Sequence, residues 1–192
     1  MRRVGVLALQ GDVAEHTAML EQVGAQVVAV RTVADLDAVD GLVIPGGEST
    51  AIAHLMESSG LRPVIAERIS DGLAVFGTCA GLILLSARIM EGRADQWSFG
   101  VLPVAVRRNG YGRQIASFET SVQVKDVGDV PGVFIRAPKI EEWSDEIEVL
   151  GEHDHGDGPH PVLVRFNNVW GCSFHPELTR DARVHQMFVQ SI

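Results

Sequence analysis

The chain has 192 residues, 46% of them hydrophobic and 21% charged, which is enough apolar surface for one folded domain. Its formal net charge of -9 repels a phosphate backbone, so nucleic acid is not an expected partner. Two cysteines make no disulfide framework, and no apolar run approaches the ~18 residues that span a bilayer. We therefore expect a cytoplasmic protein without membrane contact.

The first half alternates short apolar runs with segments of helical periodicity. Strands are predicted at 4–9, 26–30, 41–44 and 73–78, and helices at 12–23, from about 49, through Pro63 to about 72, and at 80–90. Asp12 is the predicted N-cap of the first helix, with Glu15 as its capping-box partner and Gly24 as its stop. Continuous apolar strands between helices indicate an α/β fold with a parallel sheet covered on both faces.

The second half is richer in strands. They are predicted at 101–106, 118–124, 133–136, 147–150, 162–166 and 169–174, and a helix at 181–192 closes the chain. Some of these strands alternate apolar and polar residues, which favours antiparallel pairs. No repeat, linker or low-complexity tract interrupts the chain, so residues 1–192 are interpreted as a single domain.

The segment Gly77-Thr78-Cys79-Ala80-Gly81 lies between a predicted strand and a predicted helix. This G-x-C-x-G pattern is typical of a sharp turn that places a nucleophile at its apex. The following helix points its N-terminus at the sulfur and favours the thiolate, and the N–H of Ala80 is placed to bind an oxyanion. A lone cysteine is more often a buried structural residue, but the glycine frame favours catalysis.

The segment Cys172-Ser173-Phe174-His175-Pro176-Glu177 supplies the partners that a catalytic thiol needs. His175 is predicted to end a strand and to act as base and proton shuttle. Glu177, two residues later, is close enough to orient the imidazole and stabilise its cation. A histidine at a strand end can also be merely structural. Cys172 is interpreted as a core residue.

Two other segments are candidate binding sites. Pro45-Gly46-Gly47-Glu48-Ser49-Thr50 allows close approach of a ligand to the backbone, or is an ordinary turn. It is no Walker loop, and the chain has no G-x-G-x-x-G, so we expect no nucleotide cofactor. The cluster His153, Asp154, His155 and His160 lies among turn residues and matches no zinc spacing, which indicates a solvated loop and no metal site.

Together these segments resemble the triad-type, class I glutamine amidotransferases, and among them the glutaminase subunits of pyridoxal 5'-phosphate synthase. The resemblance covers nearly the whole chain and rests on Leu9-Gln10-Gly11, Pro45 to Thr50, Phe76-Gly77-Thr78-Cys79-Ala80-Gly81, Arg108-Asn109-Gly110-Tyr111-Gly112-Arg113-Gln114, Phe134-Ile135-Arg136-Ala137-Pro138 and Gly171 to Glu177. The Arg-Asn-Gly-Tyr-Gly-Arg-Gln and Ile-Arg-Ala-Pro blocks separate these subunits from other glutaminases. The turn at Gly156-Asp157-Gly158-Pro159 is longer than usual for the family.

The resemblance implies a three-layer, flavodoxin-like fold and the hydrolysis of L-glutamine to L-glutamate and ammonia through a glutamyl thioester. In that family Cys79 would be the nucleophile, with His175 and Glu177 completing the triad. The oxyanion would bind the N–H groups of Gly47 and Ala80. No cofactor is implied.

The family's glutamine contacts fall on Gly47, Glu48, Ser49, Arg108, Ile135 and Arg136. Gln10 lies in the region that faces the synthase partner and takes part in activation. That partner would be a (β/α)₈ protein that uses the ammonia in a hetero-oligomer to make pyridoxal 5'-phosphate from a pentose phosphate and a triose phosphate.

Three alternatives stay open at this point. The partner could be another ammonia-dependent synthase. The chain could be a cysteine peptidase or a deglycase-like hydrolase of related fold, although the His-Pro-Glu segment and the Arg-Asn-Gly-Tyr-Gly-Arg-Gln block argue against this. A binding module with a dead site is the third alternative, but nucleophile, base and orienting acid are all present.

Overall fold

The computed structural model describes residues 1–92, 96–111 and 117–192. The helices are α1 (Val13–Gln22), α2 (Val33–Asp37), α3 (Ser49–Ser58), α4 (Leu61–Ser70), α5 (Ala80–Leu85) and α6 (Arg183–Gln190), with a 3-10 turn at Pro176–Leu178. The strands are β1 (Arg3–Leu7), β2 (Gln26–Val30), β3 (Gly41–Ile44), β4 (Ala74–Thr78), β5 (Ser86–Met90), β6 (Leu102–Arg107), β7 (Ser117–Val124), β8 (Gly128–Ile135), β9 (Lys139–Trp143), β10 (Glu148–Asp154), β11 (Pro159–Phe166) and β12 (Val169–Cys172).

A nine-stranded sheet in the order β2-β1-β3-β4-β12-β11-β10-β7-β8 forms the centre of the molecule. The neighbours from β2 to β12 pair in parallel, and those from β12 to β8 pair antiparallel. The parallel strands are β1 to β4 from the first half of the chain and β12 from its end. Because β3, β4 and β12 are parallel neighbours, their carboxyl ends meet at one edge of the sheet. The α/β fold with a parallel sheet and an antiparallel part was predicted and is confirmed.

Helices cover both faces of the parallel strands because alternate side chains of each strand point to opposite faces. On one face Leu42, Ile44 and Val75 share a buried cluster with residues of α2 to α5. On the other face Val43 and Phe76 share a second cluster with residues of α1 and α6. The two clusters make the three layers that the predicted fold requires, and they hold the strand ends at the catalytic edge in fixed positions.

The helix predicted at 80–90 is wrong in its second half. It ends at Leu85, and Ser86 adopts an extended conformation. The segment Ser86–Met90 becomes β5, which pairs in parallel with β6. A second small sheet, β5-β6-β9, results. Tertiary pairing with β6 therefore overrides the helical pattern of this segment.

The capping box predicted at Asp12 and Glu15 is also wrong. Asp12 occupies the N-cap position of α1 but makes no side-chain cap hydrogen bond. Its carboxylate instead lies 3.4 Å from Nδ1 of His175. A capping box forms elsewhere, between Thr32 and Asp35 at the start of α2. The helix stop at Gly24 is confirmed, with φ +81°. Within the described ranges, no helix is long and apolar enough to cross a membrane.

Candidate active site

A cleft of about 380 Å³ opens at the carboxyl ends of the parallel strands, where ligands bind in open α/β sheets. It is lined by every predicted site residue except Glu177, which lies behind His175. The lining residues from the prediction are Gln10, Gly47, Glu48, Ser49, Cys79, Ala80, Arg108, Ile135, Arg136 and His175. Segments that are distant in the sequence thus converge on one cavity.

Cys79 sits at the apex of the turn between β4 and α5 with a left-handed backbone, φ +48°. A non-glycine residue in this region is strained, and such strain concentrates at functional sites. The flanking glycines make the turn possible. A Cβ on Gly81 would lie 2.2 Å from the carbonyl oxygen of Ile44, and one on Gly77 would lie 2.5 Å from the backbone of Gly81. The sulfur is therefore presented at the N-terminus of α5 by a backbone that only small residues allow.

This contact predicts that Gly81→Ala destabilises the fold. The carbonyl of Ile44 is backbone and cannot move without disturbing β3, so we expect a loss of about 2–3 kcal/mol in urea unfolding. Gly24→Ala is the matched control, because Gly24 has open space around it and the change costs only the left-handed backbone, about 1 kcal/mol. Equal losses in the two variants would contradict the steric reason.

His175 follows β12 by three residues and faces two carboxylates. Its Nδ1 lies 2.7 Å from Oε1 of Glu177 and 3.4 Å from Oδ2 of Asp12. Its backbone N–H donates to the carbonyl of Val133 at 2.8 Å. Both His175 and Glu177 are buried. The ring is thus held from behind by the carboxylates, in the arrangement that a base with an orienting acid requires.

The surroundings of His175 favour the protonated form of its imidazole. Burial opposes the charge, but hydrogen bonds with Asp12, Cys79 and Glu177 outweigh burial and raise the pKa of this ring to about 12. Burial raises the pKa of the Glu177 carboxyl group, and its hydrogen bond to the ring offsets part of that rise. Because the histidine pKa is raised above its ordinary ~6.5, the linked stabilisation is fully present below about pH 6.5 and is lost as the pH rises through about 12.

The proximity of Asp12 to the triad was missed at the sequence level, where it was assigned to the helix cap. Among the residues that the structure describes, the ligand-type atoms of Asp12, His175 and Glu177 lie within 4.8 Å of one another. Nδ1 of the ring lies within 3.4 Å of both carboxylates, which is the geometry of an ion pair between an imidazolium and two acids.

Polar side chains line the opposite wall of the cleft. The carboxylate of Glu48 accepts from the N–H groups of Thr50 and Ala51 and so caps α3. A guanidinium nitrogen of Arg108 lies 3.5 Å from this carboxylate. Gln96, which was not predicted as a site residue, accepts from Arg108 at 2.6 Å and donates to Ser49 Oγ at 2.8 Å. The arginine is therefore held in place beside the cavity.

The backbone near the cleft is shaped by two further features. Oε1 of Gln10 accepts from the N–H of Glu48 at 2.9 Å, so this side chain braces the segment that contains Gly47. Arg136 at the end of β8 has φ +43°, a second strained residue in the lining, and Asn109 has φ +49°, which asparagine adopts more readily. The Gly112-Arg113-Gln114 part of the predicted block lies outside the described residues.

The histidine-rich segment includes an exposed turn between β10 and β11, as predicted, but its histidines are only partly exposed. His153 lies at the end of β10, and His153 and His155 are half-buried against the rings of Phe118 and Phe134. His160 donates through Nδ1 to the carbonyl of Ile140. Aromatic packing is therefore the feature that His153 and His155 share. Cys172 is fully buried, as predicted, and its thiol donates to the carbonyl of Phe174.

Comparison with known proteins identifies the family. Residues 6–192 match the model of the SNO glutamine amidotransferase family. The chain belongs to this family. It is 50% identical to the pyridoxal 5'-phosphate synthase subunit PdxT of Kineococcus radiotolerans, over 98% of this chain and 94% of that protein. It is 47% identical to the protein of the same name from Corynebacterium jeikeium, over 98% and 96%.

Solved structures agree with this membership. A crystal structure described as a glutamine amidotransferase superposes with a TM-score of 0.91 at 44% identity and covers 98% of this chain and 97% of that one. The structure of PurLQS from Thermotoga maritima has a TM-score of 0.70 at 16% identity, with 99% of both chains covered, and shares the fold. The predicted resemblance to the glutamine amidotransferases is confirmed.

Proposed function

We propose that this glutamine amidotransferase is the glutaminase subunit of a pyridoxal 5'-phosphate synthase, and that residues 1–192 act as a single cytoplasmic domain. The observation that carries the proposal is that Cys79 and His175 line one cleft, with Glu177 bonded to the imidazole from behind. The chain is also 47–50% identical to proteins named as subunits of that synthase. The two free cysteines fit a reducing compartment.

Acylation begins with the thiolate of Cys79 and the imidazolium of His175. The sulfur attacks the side-chain carboxamide carbon of L-glutamine and forms a C–S bond. The N–H groups of Gly47 and Ala80 stabilise the oxygen of the tetrahedral intermediate. The imidazolium then donates its proton to the amide nitrogen, the C–N bond breaks, and ammonia leaves behind a glutamyl thioester.

Deacylation reverses the proton movement. Neutral His175 accepts a proton from water, and the resulting hydroxide attacks the thioester carbon. The C–S bond breaks, L-glutamate is released, and the thiolate and the imidazolium are restored. Glu177 keeps Nδ1 of the ring in place through both steps, which is supported by the 2.7 Å contact. No cofactor takes part in either step.

The glutamine contacts in this proposal are Gly47, Glu48, Ser49, Arg108, Ile135 and Arg136. A guanidinium suits the α-carboxylate of the substrate because it can pair with both oxygens. Arg108 is braced by Gln96 and lies next to Glu48, whose carboxylate suits an α-ammonium group. This pairing of one cation with one anion at the cleft wall fits a zwitterionic amino acid.

Ammonia must pass to a partner before water protonates it, so the proposal includes a (β/α)₈ synthase protein in a hetero-oligomer. Gln10 is the proposed link to that partner. Its side chain holds the N–H of Glu48 and contacts the Gly47 segment that supplies an oxyanion donor. A movement of Gln10 on binding would therefore reach the oxyanion site directly.

Glu177→Gln tests the orienting role. An amide keeps the shape and one hydrogen bond but removes the negative charge beside the imidazolium, so we expect kcat to fall about 10²- to 10⁴-fold with little change in KM. Steady-state glutaminase assays with the synthase partner present measure both constants. A KM effect with an unchanged kcat would contradict the assigned role.

The partner assignment is tested by ammonia transfer. Glutamine labelled with ¹⁵N in the side-chain amide is supplied with the synthase partner and its two sugar phosphates, in an excess of unlabelled ammonium. We expect ¹⁵N in the pyridoxal 5'-phosphate. If glutamate forms but the product carries no label, the chain is a glutaminase for another ammonia-dependent synthase. If no glutamate forms, the hydrolase alternative is favoured.

A further inference from the structure

A row of buried polar side chains continues from Glu177 into the core, away from the cleft. Oε2 of Glu177 lies 3.5 Å from Nε2 of His16, and Nδ1 of His16 lies 2.9 Å from Nε2 of His185. Oγ1 of Thr78 lies 3.0 Å from the same Nε2 of His16. Both histidines are 0% exposed. The row thus connects α1 and α6 with Thr78, the residue before Cys79, and with Glu177.

The hydrogen-bond chemistry of the row selects one tautomer. Oε2 of Glu177 makes no hydrogen bond with the described residues, and Nε2 of His16, 3.5 Å away, faces it. A lone pair on that nitrogen would face a carboxylate, so we assign the proton to Nε2, where the hydroxyl of Thr78 can also accept it. Nδ1 of His16 is then an acceptor, and Nε2 of His185 must be its donor. Nδ1 of His185 is left as a buried acceptor for which the described residues supply no partner. The ring N–H groups of His16 and His185 then both point toward Glu177.

The cost of this arrangement argues that it is more than packing. Burying polar groups in an apolar core is unfavourable unless they are hydrogen-bonded, and an apolar pair of similar volume often stabilises as well or better. The row lies beside Phe76, whose ring centroid is 5.9 Å from that of His185. Two aliphatic residues would need no hydrogen-bond partners at these places.

The charges around the row are consistent with neutral histidines. Burial, followed by the effects of His185 and His175, lowers the pKa of His16 well below its usual value. Burial lowers the pKa of His185 to about 4. The other titratable groups close by are Asp12, which acts on Glu177, and Cys172, whose thiol pKa is raised by burial and by Glu177. The two histidines therefore add no positive charge to the row, and His175 is the cation that Glu177 faces.

We propose that His16 is a positioning residue of the triad. Thr78 and His185 hold its ring, and the ring fixes Oε2 of Glu177 and thereby keeps Oε1 on His175. The inference rests on the proposed function in so far as Glu177 orients the imidazole. It adds to the triad two buried histidines, one on α1 and one on α6.

Two variants of nearly equal polarity test this role. In His16→Gln the side-chain N–H reaches the place of Nε2, whereas in His16→Asn it reaches only the place of Nδ1. The readout is the rate of Cys79 alkylation by iodoacetamide at about pH 6 and about pH 9, corrected with Cys79→Ala. We expect His16→Asn to lower the rate at pH 6 about fivefold or more and to leave it within about twofold at pH 9. His16→Gln should follow the unmodified protein at both values.

Two further measurements separate positioning from stability. Leu20→Ala removes a buried neighbour one turn along α1 and should lower the melting temperature without changing the ratio of the two alkylation rates. The proposal would be overturned if Leu20→Ala changed the ratio of the alkylation rates at the two pH values. It would also be overturned if that ratio were the same in His16→Asn, His16→Gln and the unmodified protein. ¹⁵N NMR of the unmodified protein that finds His16 protonated on Nδ1 would overturn it as well. Alkylation needs neither glutamine nor a partner, so a failed glutaminase assay would not affect this test.

Discussion

Replacing Cys79 by alanine is expected to abolish glutamine hydrolysis while the chain stays folded and still binds the synthase partner. The sulfur is the only protein atom in the proposed mechanism that forms a covalent bond to the substrate carbon, so its loss should lower kcat on the order of 10⁶-fold. Glutamate release measured in the presence of the synthase gives kcat. Co-elution of the two proteins in gel filtration checks that binding is spared.

Cys172→Ala is the matched control for this variant. Cys172 is the second free thiol, fully buried at the end of the strand next to Cys79. It should keep activity within a few fold and lose some stability to a small cavity. Full glutaminase activity in Cys79→Ala, or loss of activity only in Cys172→Ala, would remove Cys79 from the centre of the mechanism.

Replacing His175 by asparagine is expected to do nearly the same damage. This imidazole donates the proton that lets ammonia leave, and it accepts a proton from the water that cleaves the thioester, so both steps lose their proton carrier. We expect kcat to fall at least about 10⁴-fold. The variant should also lose the imidazolium, with its pKa of about 12, beside the thiol, so Cys79 should react more slowly with iodoacetamide at mildly acid pH.

His54→Asn controls for the loss of a histidine as such. His54 is exposed on α3 and does not line the cleft. It should behave like the unmodified protein in both assays. A His175→Asn variant that kept a tenth or more of the normal kcat would contradict the role of that ring as proton carrier.

The parallel half of the fold was predictable because its strands are short, continuous apolar runs. β2 and β3 have the predicted bounds, and Cys79 lies at the predicted junction of strand and helix. The lengths of other elements depend on pairing between distant segments. Ser86–Met90 reads as helix in isolation, but β6 supplies a partner for a strand. The short elements α2 and β9 were not predicted, because each mixes apolar and charged residues and so has no continuous apolar run.

The site could be predicted where short motifs carry it and not where the contacts are long-range. The Gly-x-Cys-x-Gly and His-Pro-Glu segments are local patterns. His16 and His185 are 169 positions apart, and no local pattern connects them. Asp12 is a good N-cap residue by its sequence, and only the approach of His175 across the cleft gives its carboxylate another partner. Gln96 reaches Ser49 and Arg108 through the folding of the second sheet.

Glutamate release from L-glutamine, with and without the cognate pyridoxal 5'-phosphate synthase partner, tests the central claim most directly. We predict hydrolysis that appears or rises sharply with the partner and is absent in Cys79→Ala. No glutamate from the folded chain with a free thiol at Cys79 and the partner present would contradict the glutaminase assignment.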